Sequence, residues 1–244
     1  MDPCTNSWYG VTCDALNQTV LILRLGSNNL TGSLPTTIGS LANLTKISLG
    51  SNPLSGTIPD SFYNLTKLLA ITLDFTLISG PLSTSIGRMT SLSTMYMSSN
   101  NLNGSFPSEI FYLTHLSYLY LNGNKLSGTI PSSLVFIPVR DIYIGDNKLF
   151  GTIPTSIGSL SFLENLALSG NKFSGTIPTQ IGLLTNLVNL EFHNNLFSGT
   201  IPSQIGRLTH LTRFLLQSAN FSGPLPPSMA NISSLVDFDI SSNP

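Results

Sequence analysis

One spacing of apolar residues repeats along almost the whole chain. Segments such as LYLNGNKLSGTIP and LALSGNKFSGTIP follow, with conservative exchanges, the pattern L-x-L-x-x-N-x-L-x-G-x-I-P. The asparagine serves as a reference position, and other positions are counted from it, so that −4 lies four residues before it. The reference position falls at Asn28, Asn52, Thr76, Asn100, Asn124, Asn147, Asn171, Asn195, Ala219 and Asn243. A fixed period of this length predicts a solenoid of stacked turns.

The chemistry of a single repeat predicts how each turn is built. In the run Leu119-Tyr120-Leu121, alternate side chains point to opposite faces of a strand, so the leucines face inward and the tyrosine faces outward. Gly128 and Pro131 then break the strand and turn the chain. One turn cannot bury its own apolar side, so neighbouring turns must stack into a parallel sheet with strands about 4.8 Å apart. We expect the reference asparagine to face inward and bond backbone groups of the adjacent turn.

A few repeats depart from the pattern. Thr76 and Ala219 replace the reference asparagine, Ser83 stands where proline is usual, and the turn that ends at Asn147 is one residue short and contains Pro138. We expect local irregularity at these positions. Two interpretations remain open: drift in a tolerant array, or a kink that shapes a binding site.

Composition narrows the classes of partner. Only 9% of residues are charged and the net charge is −1, without the cationic stripe that a nucleic-acid binder needs, so no nucleic-acid partner is expected. No apolar run reaches the roughly 18 residues of a membrane span. No signal peptide is visible after Met1.

Two groups of residues resemble a known family. The segment SGTIP occurs at 55–59, 127–131, 174–178 and 198–202, and the start reads DPC followed by WYGVTC. Both resemble the ectodomains of plant leucine-rich-repeat receptor-like kinases and receptor-like proteins. The resemblance implies an α/β-type solenoid, a leucine-rich-repeat horseshoe or superhelix. Its parallel β-sheet would form the concave face, with loops or short 3-10 turns on the convex face.

The same resemblance suggests a domain organisation. Residues 1–19 correspond to a partial N-terminal cap with its cysteine pair, and 20–244 to about ten repeats of 24 residues, with the C-terminal cap missing. We therefore expect a piece of a longer receptor. A transmembrane helix or a kinase domain would lie outside this chain, so membrane attachment and kinase activity would come only through other segments.

Cysteines and glycosylation motifs indicate an extracellular or cell-surface location. The resemblance and the local cap pattern favour a disulfide between Cys4 and Cys13, with two free thiols as the alternative. No further cysteine pair or histidine cluster would complete a metal site, so no metal or other cofactor is expected. N-x-S/T motifs begin at Asn17, Asn29, Asn43, Asn64, Asn103, Asn220 and Asn231. None falls at the outward strand positions −6, −4 or −2, which would leave the concave face free of sugar.

Outward strand positions supply the candidate ligand site. Position −4 holds tyrosine in three consecutive repeats, and acidic residues and a histidine lie nearby. The candidate ligand-binding residues are Tyr96, Tyr118, Tyr120, Tyr143, Asp141, Asp146, Glu191 and His193. Aromatic side chains carry much of the energy at recognition surfaces, so we expect a peptide or protein ligand with some basic character. The alternative is that the tyrosines only stabilise the sheet. The resemblance adds a co-receptor as a candidate second partner.

Two other functions remain open, and catalysis is not expected. Thr57, Thr129, Thr152, Thr176 and Thr200 share position +5, and such a ladder could order water as in an ice-binding solenoid. A secreted inhibitor of cell-wall-degrading enzymes, similar to polygalacturonase-inhibiting proteins, is the other alternative. His193 lies near Glu191 without a nucleophile or an enclosed pocket, while His115 and His210 share the outer position −9, so no catalytic residue is assigned.

Overall fold

The computed structural model describes residues 2–6, 8–16, 18–132 and 137–244. The chain divides into two compact units, Met1–Lys125 and Leu126–Pro244. The two units are built from the same kind of turn.

The first unit contains ten short strands and four described 3-10 helices. The strands are β1 Val11–Cys13, β2 Val20–Arg24, β3 Gly32–Ser33, β4 Lys46–Ser48, β5 Leu54–Ser55, β6 Ala70–Thr72, β7 Ser79–Pro81, β8 Thr94–Tyr96, β9 Asn101–Asn103 and β10 Tyr118–Tyr120. The 3-10 helices are Thr36–Ser40, Asp60–Asn64, Thr84–Arg88 and Ser108–Tyr112.

The second unit repeats this arrangement. Its strands are β11 Ser127–Gly128, β12 Asp141–Tyr143, β13 Lys148–Gly151, β14 Asn165–Ala167, β15 Lys172–Gly175, β16 Asn189–Glu191, β17 Leu196–Phe197, β18 Arg213–Leu215 and β19 Asp237–Asp239. Its described 3-10 helices are Thr155–Ser159, Thr179–Leu183, Ser203–Arg207 and Pro227–Asn231.

Each unit has a main sheet on one side of its turns. In the first unit the order is β1-β2-β4-β6-β8-β10, and in the second it is β12-β14-β16-β18-β19. The recorded pairs are parallel except for β1 with β2, and each pairs residues one repeat apart, such as Leu119 with Met95 and Leu166 with Leu190. The predicted solenoid with its parallel sheet is confirmed. The outer surface of this sheet is called the sheet face below.

A second, smaller set of strands follows the main sheet in each turn. In the first unit these strands pair as β3-β5 and β7-β9, and in the second as β11-β13-β15-β17. Their outer surface is called the lateral face. The chain then enters a 3-10 helix, in most turns directly after a proline, whose fixed φ suits a helix start. Where Ser83 replaces proline, its hydroxyl oxygen accepts a hydrogen bond from the Ser85 amide at 3.2 Å and caps the helix.

The reference asparagines hold the turns together from inside. Asn171 is 8% exposed. Its Oδ1 accepts from the Leu149 amide at 2.9 Å, and its Nδ2 donates to the carbonyls of Ile144 and Leu168, both at 3.0 Å. The predicted pairing with the adjacent turn is thus present. A buried amide without such partners would cost free energy.

The two exceptions to this ladder are accommodated differently. The Thr76 hydroxyl donates to Asn100 Oδ1 and accepts from the Ile78 amide at 3.4 Å. Ala219 has no side-chain hydrogen bond to offer and is fully buried, while its own amide still donates to Asn243 Oδ1 at 3.2 Å. The chain therefore continues its repeat through both positions.

The N-terminal cap closes the first unit. A disulfide joins Cys4 to Cys13, as expected, with the two Cα atoms 5.7 Å apart. Strand β1 runs antiparallel to β2 and covers the end of the main sheet. None of the helices in the described part of the chain has the length and hydrophobicity that crossing a bilayer requires.

Candidate functional site

Two tyrosines lie side by side on the sheet face of the first unit. Strand β10 pairs with β8 so that Tyr120 lies opposite Tyr96, and their ring centroids are 4.6 Å apart with planes inclined by 46°. Both tyrosine side chains are half-buried, and the inward residue Leu119 beside Tyr120 is fully buried in the core. Tyr118 lies on the same strand and face as Tyr120. The predicted aromatic surface is therefore contiguous within this unit.

A row of polar side chains runs beside these rings at position −2. The Ser98 amide donates to Asp74 Oδ1 at 2.7 Å, and the Ser98 hydroxyl donates to Asn122 Oδ1 at 2.7 Å. Burial raises the pKa of the Asp74 carboxyl above its ordinary value, although its hydrogen bonds with Ser98 act in the opposite direction. Rings and polar row together offer apolar area next to hydrogen-bonding groups, as recognition surfaces do.

Phe75 forms an apolar edge to this surface. It is 66% exposed and adopts φ of +55°, a left-handed conformation in which a bulky residue is strained. Leu77 is 53% exposed, and both residues border the same surface concavity as Pro53. Such strain costs on the order of 1–3 kcal/mol and is often found at functional surfaces.

Tyr143 and Asp141 begin the sheet face of the second unit. Tyr143 is half-buried, and burial raises the pKa of its hydroxyl; the carboxylates of Asp141 and Glu191 act in the same direction, against a hydrogen bond with Asn189. Asp141 is only 8% exposed, and one carboxylate oxygen accepts from Asn165 Nδ2 at 2.7 Å. Its carboxylate is thus already engaged within the protein.

A charged cluster follows on the next strands of the second unit. Arg213 Nε lies 3.2 Å from Glu191 Oε1 and 3.5 Å from Asp237 Oδ2. Asn189 Nδ2 also donates to Glu191 Oε1 at 3.0 Å. The Glu191 side chain is 17% exposed, whereas those of Arg213 and Asp237 are 48% and 52% exposed, so the arginine and Asp237 form the accessible part of the cluster.

Unpaired polar atoms lie close by in sequence. His193 Nδ1, Asn189 Oδ1 and Gln217 Oε1 are buried atoms without a hydrogen-bond partner among the described residues. They belong to residues at the outward positions −6 and −2 of two neighbouring repeats. His193 also lowers the pKa of Asp239, whose main cause of depression is the hydrogen bond from the Ser241 amide.

The remaining predicted residues lie away from the main-sheet strands. Asp146 is exposed with φ of +50°, next to the reference Asn147. His115 Nδ1 lies 3.0 Å from the Thr90 carbonyl oxygen of the preceding turn. In the same way, His210 Nδ1 lies 2.9 Å from the Thr185 carbonyl oxygen. Asn29, Asn43, Asn64, Asn103, Asn220 and Asn231 all fall outside the main-sheet strands, whereas Asn17 lies outside the described residues.

Comparison with protein-family models gives a match over more than half of the chain. Two models described as leucine-rich repeat match residues 19–78 and, separately, 91–113, 115–136, 162–184 and 186–208. The chain belongs to the leucine-rich-repeat family. A comparison with curated protein sequences finds no significant match.

Several solved leucine-rich-repeat structures are similar to this chain. The plant peptide hormone receptor RGFR1 in complex with RGF2 is 39% identical, with a TM-score of 0.86, over 91% of this chain and 36% of that one. The Arabidopsis receptor kinase HAESA, in complex with the peptide hormone IDA and the co-receptor SERK1, is 34% identical, with a TM-score of 0.87, over 96% and 40%. This chain thus spans well under half the length of either receptor chain.

A third structure of this family has a different activity. A plant ice-binding protein is 28% identical with a TM-score of 0.83, and the match covers 97% of this chain and 76% of that one. The leucine-rich-repeat fold of this chain is therefore shared by receptors that bind peptides and by a protein that binds ice. The shared fold is that of a non-catalytic binding module.

Three residues of the sheet face escaped the sequence interpretation. Arg213 stands at position −6 and Gln217 at −2, in the same columns that gave the other candidates, so a full reading of those columns would have found them. Phe75 stands directly before the reference position, where other repeats carry serine, glycine, asparagine or aspartate. That contrast was the available signal for a strained, exposed ring.

Proposed function

We propose that this chain is the ligand-recognition part of a plant leucine-rich-repeat receptor and binds an extended peptide on the sheet face of its first unit. The apolar contact area comes from Tyr96, Tyr118 and Tyr120. Polar contacts come from Asp74 and Asn122, which lie at position −2 beside these rings. The pair of rings 4.6 Å apart beside this polar row carries the proposal.

The sheet face of the second unit is proposed as a separate contact region. Tyr143, Glu191 and His193 are its candidate contacts, with Asp141 supporting Asn165 from within. Its charged strand positions are mainly acidic, with four carboxylates beside the single arginine, which favours ligand segments with basic character. In the HAESA structure a peptide hormone and a co-receptor are present together, and we propose the same two kinds of partner for this chain.

An extracellular location belongs to the same proposal. The disulfide of the cap suits an oxidising compartment. The six described N-x-S/T asparagines lie off the main sheet, so glycans attached to them would leave the proposed ligand surface open. Attachment to the plasma membrane and signalling would come from segments outside this chain.

Selection from a displayed library of linear peptides tests the proposal. The glycosylated protein is immobilised, and enriched peptides are synthesised and measured against the Tyr96→Ala/Tyr120→Ala variant. Loss of two aromatic contacts at the centre of a binding surface is expected to weaken binding by at least about thirtyfold.

The control variant removes two tyrosines that are exposed elsewhere. Tyr9 is 83% exposed in the cap and Tyr112 is 65% exposed in a 3-10 helix. Tyr9→Ala/Tyr112→Ala should bind the selected peptides as the wild type does. Equal affinity of the wild type and the Tyr96→Ala/Tyr120→Ala variant would remove this surface from consideration.

Ice binding is the second candidate, because the threonine column of the second unit is regular. Thr129, Thr152, Thr176 and Thr200 are all exposed at position +5 of consecutive repeats. A Cβ at Gly151 would lie 2.8 Å from Thr129 Cγ2, and a Cβ at Gly175 would lie 2.8 Å from Thr152 Cγ2. These glycines thus leave room for the threonine methyl groups, which orders the column. The similarity to the plant ice-binding protein supports this candidate.

Thermal hysteresis separates the two candidates. Thr152→Tyr/Thr176→Tyr interrupts the column without touching the main sheet, and it should abolish any hysteresis while leaving peptide binding unchanged. Absence of hysteresis in the wild type would eliminate ice binding and leave the peptide proposal standing.

A further inference from the structure

The lateral face of the second unit brings two lysines and a phenylalanine together. Strand β13 pairs with β15 so that Phe150 lies opposite Lys172, on strands about 4.8 Å apart. Lys148 precedes Phe150 by two residues on the same strand, so both side chains lie on the outer surface, while Leu149 between them is fully buried. The ring therefore has a lysine along its own strand and another on the next.

These two lysines form a basic patch in which no carboxylate of the described residues forms an ion pair with either ammonium group. Both are exposed, and neither forms an ion pair among the described residues. The strands β11, β13, β15 and β17 contain no aspartate or glutamate. The nearest acidic residue in sequence is Asp146, whose carboxylate lies against Gly170 and forms no ion pair with either lysine. The sheet face of the same unit instead carries four carboxylates, those of Asp141, Glu191, Asp237 and Asp239, with Arg213 paired to two of them.

Phe150 is an exception to its column. Position +3 holds serine in the neighbouring repeats, at Ser127, Ser174 and Ser198, but Phe150 is a ring that is 50% exposed. Exposed threonine hydroxyls of the +5 column lie on the same side of the turn, including Thr152 two residues further along. The exposed ring of Phe150 thus has a lysine along its own strand, another on the next strand, and threonine hydroxyl groups on the same side of the turn.

We propose that this patch binds an acidic polysaccharide. A sugar ring stacks its C–H face on Phe150, its carboxylate and that of a neighbouring sugar accept hydrogen bonds from Lys148 and Lys172, and its hydroxyl groups bond the threonine column. A polymer of similar sugars suits the threonine column, which repeats from turn to turn. The site is independent of the peptide surface proposed above.

An acidic peptide fits this surface less well. An acidic peptide would use the two ammonium groups but would not require the exposed ring of Phe150 or the regular threonine hydroxyl groups beside it. Stacking on an exposed ring beside hydroxyl groups is instead what a carbohydrate offers. Specificity for an acidic sugar then comes from the two lysines.

Binding of polygalacturonate, fully methyl-esterified polygalacturonate and polyglutamate distinguishes these chemistries. The wild type should bind polygalacturonate at least about tenfold more tightly than either of the other two polymers. Lys148→Gln/Lys172→Gln and Phe150→Ser, which restores the serine of neighbouring repeats, should each weaken polygalacturonate binding by about tenfold or more. Lys67→Gln/Arg207→Gln makes the same change in net charge at two exposed positions outside the strands and should bind as the wild type does.

Each other outcome counts against the proposal. No binding of polygalacturonate by the wild type overturns it, as does wild-type affinity in the Lys148→Gln/Lys172→Gln variant. Equal affinity for polyglutamate shows that charge alone acts, which overturns the assignment to a polysaccharide. Unfolding curves of all variants, together with their binding of selected peptides, establish that the fold and the sheet face are unchanged.

Discussion

The two units are alike inside and different on the sheet face. Inside, each turn is held by the same apolar residues and the same asparagine ladder, with Asn52 in the first unit bonded as Asn171 is in the second. Outside, the first unit pairs aromatic rings beside a polar row, whereas the second places Arg213 between two carboxylates.

This contrast separates what builds the solenoid from what a ligand meets. Inward positions are constrained by packing and by buried amides, so they can change little between repeats. Outward positions are free to differ between repeats. They give the first unit paired tyrosine rings and the second unit a cluster of charged side chains. Changes inside should therefore alter stability alike in both units, and changes outside should act on one unit only.

The largest expected effect lies inside, at Asn171. Asn171→Ala leaves the Leu149 amide without its partner and removes one of the two asparagine hydrogen bonds that the carbonyls of Ile144 and Leu168 each accept. The free energy of unfolding should therefore fall by about 3 kcal/mol. Asn186→Ala is the matched control, because the exposed Asn186 amide makes a single hydrogen bond, to the Ser161 carbonyl at 2.8 Å. Denaturant unfolding measures both, and equal losses would show that the ladder contributes no special stability.

The disulfide should stabilise one unit alone. Cys4→Ser/Cys13→Ser releases the cap and should lower the stability of the first unit by about 2–3 kcal/mol. Amide hydrogen exchange should quicken in β1 and β2 and stay constant in β14 and β16. Equal acceleration in both units would contradict the separation of the cap from the second unit.

Replacement of Phe75 should increase stability. Phe75→Gly removes the strain of a bulky residue at positive φ, a gain of about 1 kcal/mol. Ser99→Gly is the matched control, since Ser99 has φ of +54° in the next repeat without a bulky side chain, and its gain should be smaller. If Phe75→Gly also weakens peptide binding, the exposed ring belongs to the ligand surface.

The ion pairs of the second unit should contribute less. Arg213→Gln removes the ion pair and leaves the Glu191 carboxylate with its hydrogen bond from Asn189. The loss of unfolding free energy should be about 1 kcal/mol or less and should shrink as salt increases. Arg140→Gln breaks the more exposed pair with Glu164 and should cost less. A salt-independent loss for Arg213→Gln would point to packing rather than charge.

The smallest effects are two pH dependences of opposite sign, one from Asp74 and one from Asp239. The raised pKa of Asp74 means that stability falls as pH rises from the unfolded value of 3.8 through the higher folded pKa. The lowered pKa of Asp239 means that stability is lost as pH falls below 3.8 through the folded pKa. Unfolding free energies against pH should lose the first slope in Asp74→Asn and the second in Asp239→Asn.

Much of this architecture was predictable from the repeat, because a fixed period places equivalent residues on neighbouring strands. The contact between Tyr96 and Tyr120 follows from their common position, and so does the inward asparagine. The burial of Asp141 was not predictable, because it depends on local packing. The positive φ of Phe75 was indicated only by the serine, glycine, asparagine or aspartate at that position in other repeats. The pairing of Arg213 with Glu191 required reading position −6 together with position −4.

Fluorine NMR of the protein labelled with 3-fluorotyrosine tests the central claim most directly. The seven tyrosines are assigned by single Tyr→Phe variants, and a peptide selected from the library is added. The account predicts that the resonances of Tyr96 and Tyr120 shift on binding while those of Tyr9 and Tyr112 stay in place. Binding that leaves Tyr96 and Tyr120 unshifted would contradict recognition on the sheet face of the first unit.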